Sequence, residues 1–320
     1  MADTKGKYME YVRLGHSGMK VSRIAFGCLT LGREADEKES IRMVDLAFDH
    51  GINLFDTADF YSKGRSEEVL GKALKEKRDQ VVLATKVCKP IREGPNDQGC
   101  SRYHLIRAVE DSLRRLKTDR IDLCQLHRFD PETPLEETLR ALDDLVRWGK
   151  VVYIGCSNFA ARELMKALGI SRSLGLHSFI SIQPLYNILK REVETEIFPL
   201  CLEEGIGVIP YNPLAGGFLT GKYNCDIPPP MGTRLGESDI YRERYLSKES
   251  FEKTSRFLEV AKKRGLHPIA LAMAWVASHP AVTSPVIGAR NEEQLKETLK
   301  LTELRISIQE RDEVSKEMWD

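Results

Sequence analysis

The segment GINLFDTADFY, residues 51–61, decides how the rest of the chain is read. Ile52, Leu54 and Phe55 form a short apolar run that ends on a carboxylate, Asp56. After a few small and polar positions comes Tyr61. A short apolar strand ending in a polar cluster is what a parallel barrel or a doubly wound sheet presents at its chemical face. Asp56 and Tyr61 are therefore candidates for one site, and the remaining sequence has to supply their partners.

Outward from this stretch, strand and helix patterns alternate. Residues 11–26 read as two extended pieces around Gly15-His16-Ser17-Gly18, a hairpin suited to capping the bottom of a barrel. Residues 24–27 read as a buried strand, and 36–50 as a helix with apolar Ile41, Val44, Leu46 and Phe48, closed by Gly51. Further strands are expected at 53–56, 81–86, 121–127, 151–157, 179–183, 207–212 and 284–287. Helices are expected at 66–74, 101–116, 134–148, 160–168, 192–204, 248–264, 268–278 and 291–300, with a surface helix at 307–319. The 66–74 helix begins Ser66-Glu67-Glu68, a cap followed by first-turn acids.

About eight strand–helix units with nearly continuously apolar strands predict an α/β fold. The expectation is a single (β/α)8 TIM barrel over residues 1–320, with an N-terminal β-hairpin at its base and additional C-terminal helices. The irregular stretch 213–247, with Pro228-Pro229-Pro230 and much charge, is expected as a long loop over the active-site face.

Bulk composition excludes several classes. Lysine plus arginine and aspartate plus glutamate both number 48, so no charge excess points to nucleic acid or an anionic membrane. The N-terminal MADTKGKYMEYVRLG is polar and reads as no signal peptide. No run of about 18 apolar residues suggests a membrane span. Seven scattered cysteines without a CxxC pair read as reduced thiols of a cytoplasmic protein, not as a disulfide framework or zinc site. The histidines show no metal-ligand spacing, so no metal is expected. Residues 216–222, GGFLTGK, fit GxxxxGK, but Tyr223 follows where a phosphate-binding loop needs a hydroxyl for Mg²⁺.

In a parallel barrel the C-terminal ends of the strands share one face. Those ends carry Asp56, Lys86, His127, Ser157-Asn158, Gln183 and Tyr211-Asn212, with Tyr61 just past the second strand. Their types suggest a proton relay. A lysine beside a tyrosine favours the phenolate and is expected to lower its pKa. Asp56 keeps Lys86 charged and oriented, and His127 donates to a carbonyl oxygen. Such a relay serves an oxygen gaining negative charge, as in carbonyl reduction. None of these groups delivers hydride, so a cofactor must. Cys28, after the first strand, is a candidate pocket-lining residue.

On these motifs the chain resembles the aldo-keto reductase superfamily. The likeness runs nearly end to end: LGHSGMKVSRIAFG, GINLFDTADFY, SEEVLGKAL, LATK, SLRRLKTDRIDLCQLHRFD, GKVVYIGCSNF, QPLYN, PYNPLAGGFLTGKY and VIGARNEEQL. The variety resembled is the bacterial type related to potassium-channel β subunits. The resemblance implies catalytic roles for Asp56, Tyr61, Lys86 and His127. It also implies NADPH/NADP as cofactor in preference to NADH. Ser157, Asn158 and Gln183 would then hold the nicotinamide carboxamide, and Tyr211 would stack on its ring. Asn212, Pro213, Leu214, Gly216 and Lys222 would lie along the pyrophosphate. Gly288, Arg290 and Gln294 would meet the adenosine 2′-phosphate, where a guanidinium suits phosphate. Where the family usually has Glu-Asn, this chain has Glu297-Thr298, which leaves the adenine contact and the strictness of the NADPH preference open.

The implied function is reversible NADPH-dependent reduction of an aldehyde or ketone, with Tyr61 as proton donor. The substrate is a small carbonyl or alcohol compound, and monomer or homo-oligomer is left open. Two alternatives remain: a redox-sensing or partner-binding subunit on the same fold, and a Schiff-base lyase using Lys86.

Overall fold

The computed structural model describes residues 9–319; residues 1–8, on which the reading of no signal peptide partly rests, lie outside the described residues, as does residue 320. A hairpin opens the chain, β1 (Tyr11–Arg13) pairing antiparallel with β2 (Lys20–Ser22). Eight parallel strands follow: β3 (Ala25–Gly27), β4 (Leu54–Asp56), β5 (Val82–Val87), β6 (Ile121–Leu126), β7 (Val151–Ser157), β8 (Phe179–Gln183), β9 (Gly207–Val208) and β10 (Val286–Ile287). Each pairs with its neighbour in the chain, and β10 returns to pair with β3. Where β9 meets β10, Thr283 N–H donates to Val208 O at 2.8 Å and Val286 N–H to Pro210 O at 2.9 Å. These bonds close the sheet into a barrel.

The helices on the outside are α1 (Glu37–Asp49), α2 (Arg65–Ala73), α3 (Arg102–Leu116), α4 (Leu135–Arg147), α5 (Ala161–Leu174) and α6 (Ile197–Glu204). Then come α7 (Arg234–Glu237), α8 (Asp239–Tyr245), α9 (Lys248–Lys263), α10 (Pro268–Ala277), α11 (Glu292–Leu301) and α12 (Ile308–Trp319). The expected barrel with a basal hairpin and extra C-terminal helices is what the chain forms.

Strand periodicity places the site. Successive side chains of a strand point to opposite faces. Leu54 thus packs inside the barrel, Phe55 outside against the helices, and Asp56 inside again. The same parity puts Val82, Ala84 and Lys86 inside along β5, and Leu123 and Gln125 along β6. The lower interior is apolar, with Leu54, Val82, Leu123, Ile180 and Ile209 resting on Leu14 and Val21 of the hairpin. The upper interior is polar and buried. Gly15 fits the hairpin beneath the barrel: its φ is +57°, and a Cβ there would lie 2.6 Å from Gly205 O. Only glycine tolerates both constraints.

Several elements differ from expectation. Helix α2 has no Ser66 cap; Ser66 is buried and donates to Cys28 O at 2.7 Å, while Gly64 with φ +90° turns the chain. The strand expected over 207–212 ends at Val208, because Pro210 has no N–H for the ladder. Helix α5 continues through Gly169 and stops at Gly175, φ +64°. The helix expected over 192–204 begins only at Ile197, which puts Pro199 in the first turn, where its missing N–H costs nothing. The stretch 213–247 is not one irregular loop: it holds a 3₁₀ segment, Ala215–Thr220, and helices α7 and α8. Helix α12 is no loose surface element. Buried Arg311 donates to Tyr186 Oη at 2.7 Å and pairs with Glu194 at 2.5 Å, and Val314 and Met318 join the core.

Candidate active site

Strands β4 and β5 end side by side, so Asp56 and Lys86 enter the upper barrel together. Lys86 Nζ donates to Asp56 Oδ2 at 2.6 Å and to Thr57 O at 2.9 Å. Its third hydrogen faces Tyr61 Oη at 3.4 Å. Tyr61 is carried there by the short turn that follows β4, after Tyr61 N–H donates to Ala58 O at 3.1 Å. His127 directly follows β6, and its ring packs at 83° to that of Tyr61, centroids 5.9 Å apart. Phe60 packs against both rings. The four candidate catalytic side chains are thus brought together.

The second Asp56 oxygen, Oδ1, accepts from Gln183 Nε2 at 3.0 Å and from Gln125 Nε2 at 3.1 Å. Gln125 escaped the sequence reading because it lies inside the apolar run IDLCQLH. The signal was available: Leu123, Gln125 and His127 share one strand parity. Gln183 differs from expectation too. Its amide N–H₂ is turned down onto Asp56 rather than up toward a cofactor.

Electrostatics follow from burial. Burial pulls Lys86 down, but the Asp56 carboxylate and then Tyr61 outweigh it, and the ammonium ends above its ordinary value. Burial pushes Tyr61 up to about 12, against the pull of Lys86. The expectation of a lowered phenol is therefore overturned: removing the phenolate from water costs more than the nearby ammonium returns. Burial, then Lys86 and Lys89, hold His127 well below the usual histidine range, so its imidazole is neutral. His127 Nδ1 is buried without a hydrogen-bond partner. Cys28 donates to Phe26 O at 3.8 Å, and burial pushes its thiol well up, which makes it a packing residue. Not all thiols are scattered in space: Cys100 Sγ lies 3.0 Å from Cys88 Sγ.

The remaining candidates form a rim from β7 to α11. Ser157 Oγ donates to Gln183 O at 2.7 Å. Asn158, at φ +57°, donates to His127 O at 3.0 Å and accepts from Tyr211 Oη at 2.9 Å. Asn212 is a strut: Oδ1 accepts from Gly216 N–H at 3.1 Å and Nδ2 donates to Tyr245 Oη at 3.1 Å. Pro213 is buried, and Leu214 O accepts from Gly217 N–H at 2.9 Å. A Cβ on Gly216 would lie 2.6 Å from the Tyr241 ring, so the α8 segment rests directly on this turn. Lys222 Nζ lies beside Gly217 and over the Tyr223 ring, with no carboxylate partner among the described residues. Gly288 is exposed. Arg290 pairs loosely with Glu237 at 3.4 Å, and its N–H donates to Gln294 Oε1 at 3.1 Å. Thr298 is buried within α11.

An aromatic face at Tyr211, an unpaired cation at Lys222 and a weakly held guanidinium at Arg290 fit an elongated anionic cofactor with a planar end. Among the described residues no cluster of His, Cys, Asp and Glu suits a metal ion, and no helix is long and apolar enough to cross a membrane.

Fold and site together are those of a barrel oxidoreductase. The chain belongs to the Aldo/keto reductase family, whose sequence profile matches residues 23–317. It is 39% identical over 310 residues to the oxidoreductase YrpG of Bacillus subtilis (strain 168), covering 93% of this chain and 92% of the other. It is 39% identical over 302 residues to a probable voltage-gated potassium channel subunit beta of Arabidopsis thaliana, covering 92% of each. It is 37% identical over 328 residues to the versiconal hemiacetal acetate reductase of Aspergillus parasiticus, covering 94% and 95%.

Proposed function

We propose that the protein is an NADP(H)-dependent reductase of aldehydes or ketones, working reversibly on the corresponding alcohols. The observation that carries this reading is the buried chain Asp56–Lys86–Tyr61, with the neutral His127 ring packed at 83° to the phenol ring. Tyr61 keeps its proton at neutral pH and hands it to an oxygen that becomes an alkoxide. Lys86, held charged by Asp56, stabilises the phenolate left behind. Neutral His127 orients the carbonyl by donating a hydrogen bond. Gln125 and Gln183 fix the carboxylate that fixes the lysine. A bound nicotinamide supplies the hydride, which no side chain here provides.

Ser157, Asn158 and the amide oxygen of Gln183, whose N–H₂ stays on Asp56, would hold its carboxamide, and Tyr211 would stack on its ring. Lys222 would meet the pyrophosphate, and Arg290 the 2′-phosphate. The seven cysteines are all unbridged, which supports a reducing, cytoplasmic setting. The test is oxidation of NADPH, with NADH in parallel, on 4-nitrobenzaldehyde. Turnover should be lost in Tyr61→Phe. Turnover that survives this change would sink the assignment.

The potassium-channel β relatives support a second reading, a partner-binding subunit with little turnover. A stable membrane partner together with no Tyr61-dependent turnover would favour it.

A further inference from the structure

Three cations beside the site lack a carboxylate partner among the described residues. Lys89 directly follows Cys88 at the exit of β5, and its ammonium lies 4.4 Å from the centroid of the Phe60 ring. That ring contacts His127 at 4.9 Å and Tyr61 at 5.0 Å, so Lys89 stands one aromatic ring away from the proton donor. Arg128 directly follows His127 and is exposed. Arg244, on α8, lies 5.9 Å over the ring of Tyr211, whose hydroxyl holds Asn158. None of the three makes an ion pair with a carboxylate among the described residues.

The acids nearby are committed elsewhere. Asp130 accepts from Cys100 N–H at 2.7 Å, Thr133 Oγ1 at 2.7 Å and Glu132 N–H at 3.1 Å. Asp56 is taken by Lys86. Asp111 holds Arg92 at 3.2 Å, so of the two cations in the loop that follows β5, Lys89 is the one without a carboxylate partner among the described residues. The cost of leaving these charges unbalanced is visible at Lys89, which burial and then Arg128 and Arg244 push down. Positive charge placed beside Tyr61 and His127 through the Phe60 ring, without a carboxylate counterion among the described residues, fits an anion that arrives from solution. The phosphate contacts proposed above for a dinucleotide lie elsewhere, Lys222 after β9 and Arg290 after β10. Lys89 and Arg128 leave β5 and β6, across the barrel from β9 and β10.

We propose that the substrate is a carbonyl compound bearing a carboxylate or phosphate group, held by Lys89 and Arg128 with Arg244 closing the ring, while its carbonyl faces Tyr61 and His127. This rests on the carbonyl-reduction reading above. The plain alternative is that Lys89 only packs on the Phe60 ring.

The experiment compares matched aldehydes with NADPH: 4-carboxybenzaldehyde against 4-nitrobenzaldehyde, and glyceraldehyde 3-phosphate against glyceraldehyde. The anionic member of at least one pair should be preferred by about tenfold or more in kcat/KM. The pair that shows the preference separates carboxylate from phosphate. The preference should shrink as ionic strength rises from about 0.01 to 0.15 M, because the screening length falls to about 8 Å. Lys89→Met and Arg128→Met should each erase most of the ratio, and Arg92→Met, on the same loop, should keep it. Equal or lower kcat/KM for both anions, or a ratio untouched by Lys89→Met, would overturn the proposal. If no aldehyde turns over, the carbonyl-reduction reading has failed, and calorimetric titration of benzoate against benzamide then decides the anion site. Benzoate binding that disappears in Lys89→Met supports the site; no benzoate binding overturns it.

Discussion

The Lys86 ammonium stands 2.6 Å from the Asp56 carboxylate, and the two side chains are 1% and 5% exposed. Two charges this far from water depend on each other, and removing one partner of such a pair costs about 3–5 kcal/mol. Asp56→Asn keeps the shape and removes the counterion. Its urea unfolding midpoint should drop accordingly, and aldehyde reduction should fall by about a hundredfold or more, the usual worth of a positioned proton-transfer group. The double variant Asp56→Asn/Lys86→Met should be less destabilised than the sum of the singles, by about 0.5–3 kcal/mol. Strict additivity would mean that the pair does not couple.

Tyr61 sets the pH dependence. Burial, only partly offset by Lys86, pushes its phenol up to about 12. Reduction needs the phenol protonated, and a group with this pKa stays protonated through pH 10. The kcat/KM for carbonyl reduction, which reports the free enzyme's groups, should therefore be flat from neutrality to about pH 10 as far as Tyr61 is concerned. A fall centred near neutral pH, absent in a variant with Lys86 neutralised, would show that the ammonium prevails over burial.

The barrel was legible because its strands are apolar runs ending in single polar residues, and alternation makes each such ending point inward. Asp56, Lys86 and His127 fall out of that rule. What escaped were features set by tertiary contacts. Gln125 hides in an apolar strand, and only its shared parity with His127 marks it. Ser66 has the sequence of a helix cap, but packing against β3 gives its hydroxyl to Cys28 O instead. The sign of the Tyr61 shift depended on how deeply the phenol is buried, which neighbouring residue types do not reveal. Arg311 lies in the stretch expected as a surface helix, 307–319; only the fold brings it to Glu194 and Tyr186, far apart from it in sequence.

Half-buried His279 contributes acid sensitivity of its own. His279 packs between Tyr186 and Phe198, and burial, then Arg311, lowers it to about 4. In the unfolded chain its imidazole takes a proton at about 6.5. Between these values the unfolded state binds more protons than the folded one, so stability falls as pH drops from about 6.5 toward 4. His279→Asn should flatten this slope when urea unfolding is followed across that range. An unchanged slope would assign the sensitivity to other groups.

Arg290 and Glu237 make the last prediction. Their 3.4 Å contact is partly exposed, so it contributes only about 0–1 kcal/mol. A 2′-phosphate binding Arg290 in a fork has to displace that carboxylate. Glu237→Gln removes the competitor and should tighten NADPH binding by up to about fivefold, the equivalent of that contact energy, with little effect on NADH. Arg290→Leu should act in the opposite direction and bring the two cofactors toward equal affinity. Both are read by quenching of protein fluorescence on titration with each nucleotide. Parallel changes for NADPH and NADH would place the 2′-phosphate elsewhere, because a group that recognises it must discriminate between the two.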